Sequence, residues 1–205
     1  ALEKKDPSLH PLPEGYADLT LKGVITVDLF GLPADYDRIL PFCKDKGLFV
    51  IADAAQSFGS EYKGKKAGSI GDVATTSFFP AKPLGCYGDG GAVFTDDDDL
   101  AEIFRSIRVH GKGSEKYDNV RIGLNTRMDT IQAAILLAKL DAFPKELDAR
   151  QNVAKAYGDN LEGIVETPYV PEGCLSAWAQ YSVLSDRKTE IQATLKEKGV
   201  PTAVY

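Results

Sequence analysis

Two short apolar runs constrain this chain more than anything else in it. Residues 23–30 (Gly-Val-Ile-Thr-Val-Asp-Leu-Phe) and 48–52 (Leu-Phe-Val-Ile-Ala) have the length and β-branched content of buried strands. Between them, over 34–46, Tyr36, Ile39, Leu40 and Cys43 recur at helical spacing, and Gly47 ends the run. Strand, helix, strand at this spacing is a βαβ crossover, which requires the two strands to run parallel. The pattern continues with strands predicted over 72–79 and 91–95. The fold class is therefore α/β: a mostly parallel sheet with flanking helices.

The acidic run from Asp96 to Asp99 stands just before Leu100, Ile103, Phe104 and Ile107. Acids there complement the positive end of a helix, so the run predicts a helix start rather than a metal site. A helix is expected over 131–140, with Pro144 near its end or at a kink, and another over 146–161 stopped by Gly163. Residues 1–22 read as a short helical remnant followed by a loop rich in proline. After Gly163 the texture changes: a loop with Pro168, Pro171 and Gly173, an alternating strand over 178–184, and an amphipathic helix over 187–198. One strand and one helix cannot bury their faces alone. Residues 163–205 are thus expected to begin a smaller α+β domain that is incomplete here, after a large domain over 1–162.

Composition excludes several classes. A net charge of −6 with scattered Lys and Arg gives no basic face for nucleic acid. No run of about 18 apolar residues exists to span a membrane. The first residues lack the apolar segment of a secretion signal. Cys43, Cys86 and Cys174 are widely spaced and odd in number, which fits reduced thiols and a cytoplasmic setting. His10 and His110 are too few and too distant for a metal cluster, so no metal is expected. Lys63-Gly64-Lys65-Lys66 reads as a solvated turn.

Two residues carry candidate chemistry. Asp53 follows four apolar residues at a strand end, where ligands collect in open α/β sheets. On its own it reads as either a loop-tying carboxylate or a site residue. Lys82 follows the third strand between Pro80 and Pro83, with Gly85 beyond. Prolines fix the backbone and so aim the lysine, while glycine admits a ligand closely. A desolvated lysine attacks carbonyls. Pyridoxal phosphate (PLP) chemistry needs such a lysine and an acid opposite the pyridine nitrogen. An exposed loop lysine is the other reading.

Four segments then occur in one order: Asp53-Ala54-Ala55-Gln56-Ser57, Ser77-Phe78-Phe79-Pro80-Ala81-Lys82-Pro83-Leu84-Gly85, Tyr87-Gly88-Asp89-Gly90-Gly91-Ala92 and Gly123-Leu124-Asn125-Thr126-Arg127-Met128-Asp129. Together they resemble the successive signatures of the DegT/StrS-type nucleotide-sugar aminotransferases. The resemblance implies a type I PLP-dependent transferase fold and PLP as cofactor. It implies that Lys82 forms the Schiff base and moves the substrate proton, that Asp53 holds the pyridine nitrogen protonated, that Gln56 bonds the phenolic oxygen and Ser77 the phosphate. Asn125 is expected to reach the phosphate held by a neighbouring subunit, making a homodimer the working unit. Arg127 is expected to approach the sugar from that neighbour, with a structural arginine as the alternative.

Residues 78–87 and 199–204 further resemble the branch acting on 3-oxo-glucuronates in bacterial surface-polysaccharide (lipopolysaccharide) synthesis. That likeness implies a UDP-linked 3-oxo sugar acid as substrate and glutamate as amino donor. Three departures stand out: Ala52 where the family has Glu, Val204 running into Tyr205 without the family's intervening His, and a family pattern that extends past both ends of this sequence. The portions beyond normally supply a ring-stacking aromatic, phosphate donors and the rest of the small domain. A non-catalytic or truncated PLP-fold protein with a structural or regulatory role is the competing reading; retention of Lys82 argues against it, and the portions absent from this sequence argue for it. Residues 59–66 come near a phosphate-binding loop but lack its Ser or Thr. Residues 85–91 are glycine-rich but lead into a strand, so they are no dinucleotide fingerprint.

Overall fold

The computed structural model describes residues 6, 8, 10–115 and 117–205. Its centre is a four-stranded sheet built from β1 (Gly23–Val27), β2 (Phe49–Asp53), β5 (Val73–Ser77) and β6 (Gly91–Phe94) in the order β1-β2-β5-β6. The first two pairings are parallel and the third antiparallel. Helix α1 (Tyr36–Asp45) makes the expected crossover between β1 and β2. The register sets Val27 beside Asp53 and Asp53 beside Thr75, and sets Ser77 beside Gly91. The carboxyl ends of β1, β2 and β5 therefore share one edge of the sheet.

Period-two alternation divides the sheet's faces. Thr26, Val50, Ala52, Ala74 and Thr76 are buried on one face. There Tyr36, Tyr62 and Ile70 join Ala52 and Ala74 in a core cluster, with Leu40 and Phe94 packed against it. The opposite face carries Ile25, Val27, Phe49 and Val93 exposed. Gly23 belongs to that face for steric reasons, since a Cβ there would lie 2.4 Å from the Phe49 ring.

Beyond the sheet, Asp97 caps α2 (Asp98–Ile107), its carboxylate accepting from Leu100 N–H at 2.9 Å. The acidic run is thus a helix start, as its position indicated. Helix α3 (Thr130–Leu140) is followed at once by α4 (Phe143–Leu161), and Pro144 sits in the first turn of α4 rather than ending α3. Proline is at home there because first-turn N–H groups lack helical partners. Phe143 and Leu136 meet Phe78, Leu84 and Cys86 in a second core cluster.

Two sequence expectations are corrected, and the solvated turn over 63–66 is placed within a larger element. Residues 63–66 are part of a hairpin: β3 (Glu61–Tyr62) pairs with β4 (Lys65–Lys66) across Lys63-Gly64, both in left-handed backbone. Its lysines are solvated, as expected, and pair with Asp37 and Glu61. No strand forms over 178–184; the alternating segment keeps only an isolated bridge from Leu184 to Glu166. Trp178 takes φ 48, which breaks the extended run, and the strand falls earlier, at β7 (Cys174–Leu175), paired with β3. The strand expected over 23–30 stops at Val27 because Leu29–Gly31 coils into a short turn with Phe30 at φ 59. Helix α5 (Lys188–Glu197) matches its expectation. The helical remnant expected at the start of 1–22 falls largely outside the described residues, and Tyr16–Asp18 forms a single 3-10 turn.

One buried carboxylate ties these pieces together. Asp28 is 1% exposed. Its Oδ1 accepts from Ala34 N–H at 3.0 Å and Tyr36 O–H at 2.8 Å, and its Oδ2 from Ser57 O–H at 2.8 Å. Its own N–H donates to Asp53 O at 3.0 Å. No cation pairs with it among the described residues, and burial pushes its carboxyl above the ordinary range despite the three donors. A group whose folded value is raised stabilises the fold most fully below its unfolded value, and that contribution fades as pH rises through the folded one. Asp28→Asn keeps an acceptor and removes the buried charge. Its stability relative to the native chain, from urea melts, should be most favourable at pH 7 and decline toward pH 4. A difference moving the other way contradicts this account.

Candidate active site

Four of the six residues singled out in the sequence lie at the carboxyl edge of the sheet or in the loops leaving it. Asp53 is the last residue of β2 and is half-buried. Its Oδ1 accepts from Ala55 N–H at 3.0 Å, which starts the turn that carries Gln56. Ser57, 0% exposed, pins the end of that turn to Asp28. Gln56 Oε1 accepts from Phe30 N–H at 2.7 Å. A backbone N–H can only donate, so the amide oxygen must face Phe30 and the Nε2 donors must face elsewhere.

Ser77 ends β5, and its Oγ accepts from Phe79 N–H at 3.2 Å, leaving its own hydrogen to donate. Lys82 follows in a loop bonded at both ends: Phe78 N–H to Gly90 O at 2.7 Å and Cys86 N–H to Phe78 O at 2.8 Å. Lys82 N–H closes a turn onto Phe79 O at 2.9 Å. The half-buried side chain makes no ion pair or hydrogen bond among the described residues. Gly85 permits the fold-back, since a Cβ there would lie 2.6 Å from Pro80 O.

Helix α3 clamps this loop along one stripe. Gln132 Oε1 accepts from Tyr87 N–H at 2.8 Å, Leu136 packs with Leu84 and Cys86, and Lys139 Nζ donates to Gly85 O. Lys139 Nζ also lies 5.7 Å from the Tyr87 ring centroid. Residues 132, 136 and 139 share a helix face by their spacing of four and three.

Asn125 and Arg127 stand apart from that group. The strip 124–126 runs beside 107–110, with Leu124 N–H bonded to Ile107 O at 2.7 Å and Thr126 N–H to Arg108 O at 3.1 Å. Both side chains are exposed. Met128 returns to the Lys82 loop, where its Sδ and Cys86 Sγ would lie 3.1 and 3.0 Å from a Cβ on Gly90. Around the strip, Val120, Ile122 and Leu124 are exposed, Ile122 by 96%, as are Ile131 and Leu137 of α3.

Sequence reasoning missed the Asp28–Tyr36–Ser57 network, the Phe30 N–H bond and the α3 clamp. Only Asp28 gave a signal, as a lone acid in an apolar run. Among the described residues, the donor set at this edge suits PLP: a lysine amine without a partner for a carbonyl carbon, a carboxylate with one hydrogen bond for a protonated ring nitrogen, and amide and hydroxyl donors for anionic oxygens.

The sequence and the fold agree with one class of protein. The chain belongs to the DegT/DnrJ/EryC1/StrS aminotransferase family, whose model matches residues 17–205. It is 50% identical over 185 residues to the UDP-2-acetamido-2-deoxy-3-oxo-D-glucuronate aminotransferase of Pseudomonas aeruginosa, covering 90% of this chain and 51% of that protein. A crystal structure of a DegT DnrJ EryC1 StrS aminotransferase from Brucella abortus superposes with TM-score 0.88 at 51% identity, covering 90% of this chain and 49% of that one. The S. venezuelae enzyme DesV, solved in complex with a ketimine intermediate, gives TM-score 0.84 at 35% identity, with 88% and 49% covered. The chain thus spans about half the length of the relatives it matches. The fold is the one these aminotransferases share.

Proposed function

We propose that this protein is a PLP-dependent aminotransferase that moves an amino group from glutamate to a UDP-linked 3-oxo sugar acid used in bacterial surface-polysaccharide synthesis. The observation that carries the reading is Lys82, rigidly held beyond β5 with an amine unpaired among the described residues, next to the strand that ends in Asp53. The identity to the Pseudomonas aeruginosa enzyme supports the sugar class. Asp53 keeps a proton on the ring nitrogen, Gln56 Nε2 donates to the phenolic oxygen and Ser77 Oγ donates to the phosphate. Lys82 Nζ would anchor the cofactor and would hold and return the proton at the reacting carbon. Bound PLP supplies an electron sink next to that carbon.

The homodimer belongs to the same proposal. Asn125 and Arg127, exposed beside Val120, Ile122 and Leu124, sit where a second copy would bury apolar surface. In that arrangement Asn125 serves the partner's cofactor phosphate and Arg127 the sugar. Residues 1–162 form part of the large cofactor domain, and 163–205 open the small one. No helix among the described residues is long and apolar enough to cross a membrane, and the proposed setting is the cytoplasm, where the nucleotide-sugar would be made.

Formation of 2-oxoglutarate from glutamate, driven by a UDP-linked 3-oxo sugar acid, tests the activity. Lys82→Ala should lower that rate on the order of 10²–10⁴-fold; an unaltered rate removes Lys82 from the chemistry. Asn125→Ala should weaken PLP retention roughly tenfold or more, the worth of a hydrogen bond to a charged oxygen, with an unchanged apo melting temperature. Equal retention in the two proteins sinks the cross-subunit role.

A further inference from the structure

The Phe30–Gly31 turn links two parts of the molecule that lie far apart in sequence. On one side Phe30 N–H holds Gln56 Oε1 at 2.7 Å. On the other, Phe30 O accepts from Ala179 N–H at 3.0 Å and Gln180 N–H at 3.4 Å, while Gly31 O accepts from Ala177 N–H at 2.8 Å. Phe30 is a non-glycine residue at φ 59, ψ 8, a left-handed conformation that persists only where surrounding bonds enforce it. Those bonds come from within the turn, from Gln56 on one side and from 177–180 on the other. Gly31, at φ 99, has no room for a side chain there: a Cβ would lie 2.8 Å from Trp178 N and 2.9 Å from Ala179 N.

The 177–180 segment is itself anchored. Trp178, also left-handed at φ 48, donates from Nε1 to Gln151 Oε1 at 2.9 Å, and its carbonyl accepts from Arg150 at 3.0 Å. Its ring stacks on Tyr181 at 5.4 Å, and Tyr181 stacks on Tyr157 of α4 at 5.0 Å. Helix α4 therefore fixes Trp178, Trp178 fixes the turn, and the turn fixes which way the Gln56 amide faces.

We propose that the Phe30–Gly31 turn, locked by residues 177–180, is the positioning element that presents Gln56 Nε2 as a donor to the phenolic oxygen of PLP. This rests on the PLP reading above. The physical need is plain: a free amide presents its oxygen or its nitrogen, and an oxygen facing a phenolate repels it. One backbone N–H on the far side of the amide removes that choice. Polarisation of the cofactor is thereby coupled to the packing of the 177–180 segment. Phe30 and Trp178 are positioning residues, not catalytic ones. The titratable and charged groups around the turn and its anchor are Asp28 and Asp53 at the strand ends, Tyr36 of α1, Arg150 of α4 and Tyr181 against Trp178, and Tyr205, whose ring meets Phe30 at 5.4 Å. None of them is altered by the test.

The readout is the pH midpoint at which the visible absorption of bound PLP changes. A donor on the phenolic oxygen withdraws the negative charge that retains the neighbouring imine proton, so losing the donor raises the midpoint. Gln56→Glu keeps an acceptor for Phe30 N–H but presents no donor, and should raise the midpoint by roughly one unit or more. Gly31→Ala, and separately Trp178→Ala, should raise it in the same direction by a smaller amount. Added to Gln56→Glu, neither should raise it further, because both act through that amide. Unmoved midpoints in folded Gly31→Ala and Trp178→Ala, or shifts that add fully to Gln56→Glu, overturn the positioning role and leave the cofactor reading standing. Absence of any visible band in the native protein overturns the cofactor reading and this proposal with it.

Discussion

The structure depends on a buried carboxylate, Asp28, that no cation pairs with among the described residues. Asp28 sits where β1 ends, takes hydrogen bonds from the entry to α1 and from the turn after β2, and lends its own N–H to Asp53. Unpaired buried charge is costly, and the raised carboxyl shows that the three donors do not fully offset it. What the arrangement provides is geometry. The entry to α1 and the turn after β2 are held to one pair of oxygen atoms, and that turn carries Gln56, a candidate site residue, just past Asp53. Tyr36 deepens the tie, because its hydroxyl meets both Asp28 and Thr26 and its own ionisation is strongly opposed by burial.

Lys82 is placed by a different device. Its loop is closed by backbone bonds between Phe78, Cys86 and Gly90, and α3 grips the loop's outer side through Gln132, Leu136 and Lys139. Rigid backbone beneath a long flexible side chain aims the amine and leaves its tip mobile, which suits the anchoring and proton-moving role proposed for it. Asp53 and Lys82 thus owe their placement to the ends of neighbouring strands, β2 and β5, in one sheet.

Much of this was legible in the sequence. The apolar runs and the helical spacing between them gave the parallel crossover, and Asp97 acts as the cap its acidic neighbourhood implied. The positions of Asp53 at a strand end and Lys82 just past one were legible in the apolar runs that precede them, and the ordered motifs gave the family. The 178–184 segment was misread because alternation cannot tell a paired strand from a segment packed on a turn. Trp178 at φ 48 leaves no mark in composition. Pro144 was ambiguous because proline ends one helix and begins the next equally well. The bonds from Phe30 to Gln56 and from Lys139 to Gly85 join residues 26 and 54 positions apart, and no local pattern encodes such pairs.

The central claim is that this sheet edge holds PLP on one particular lysine. Incubation with PLP, borohydride reduction and peptide mass spectrometry test it directly. The account predicts one fixed cofactor, on the peptide containing Lys82, with the other lysines, including Lys63 and Lys139, unmodified. Label spread over surface lysines, or none retained at all, would contradict it.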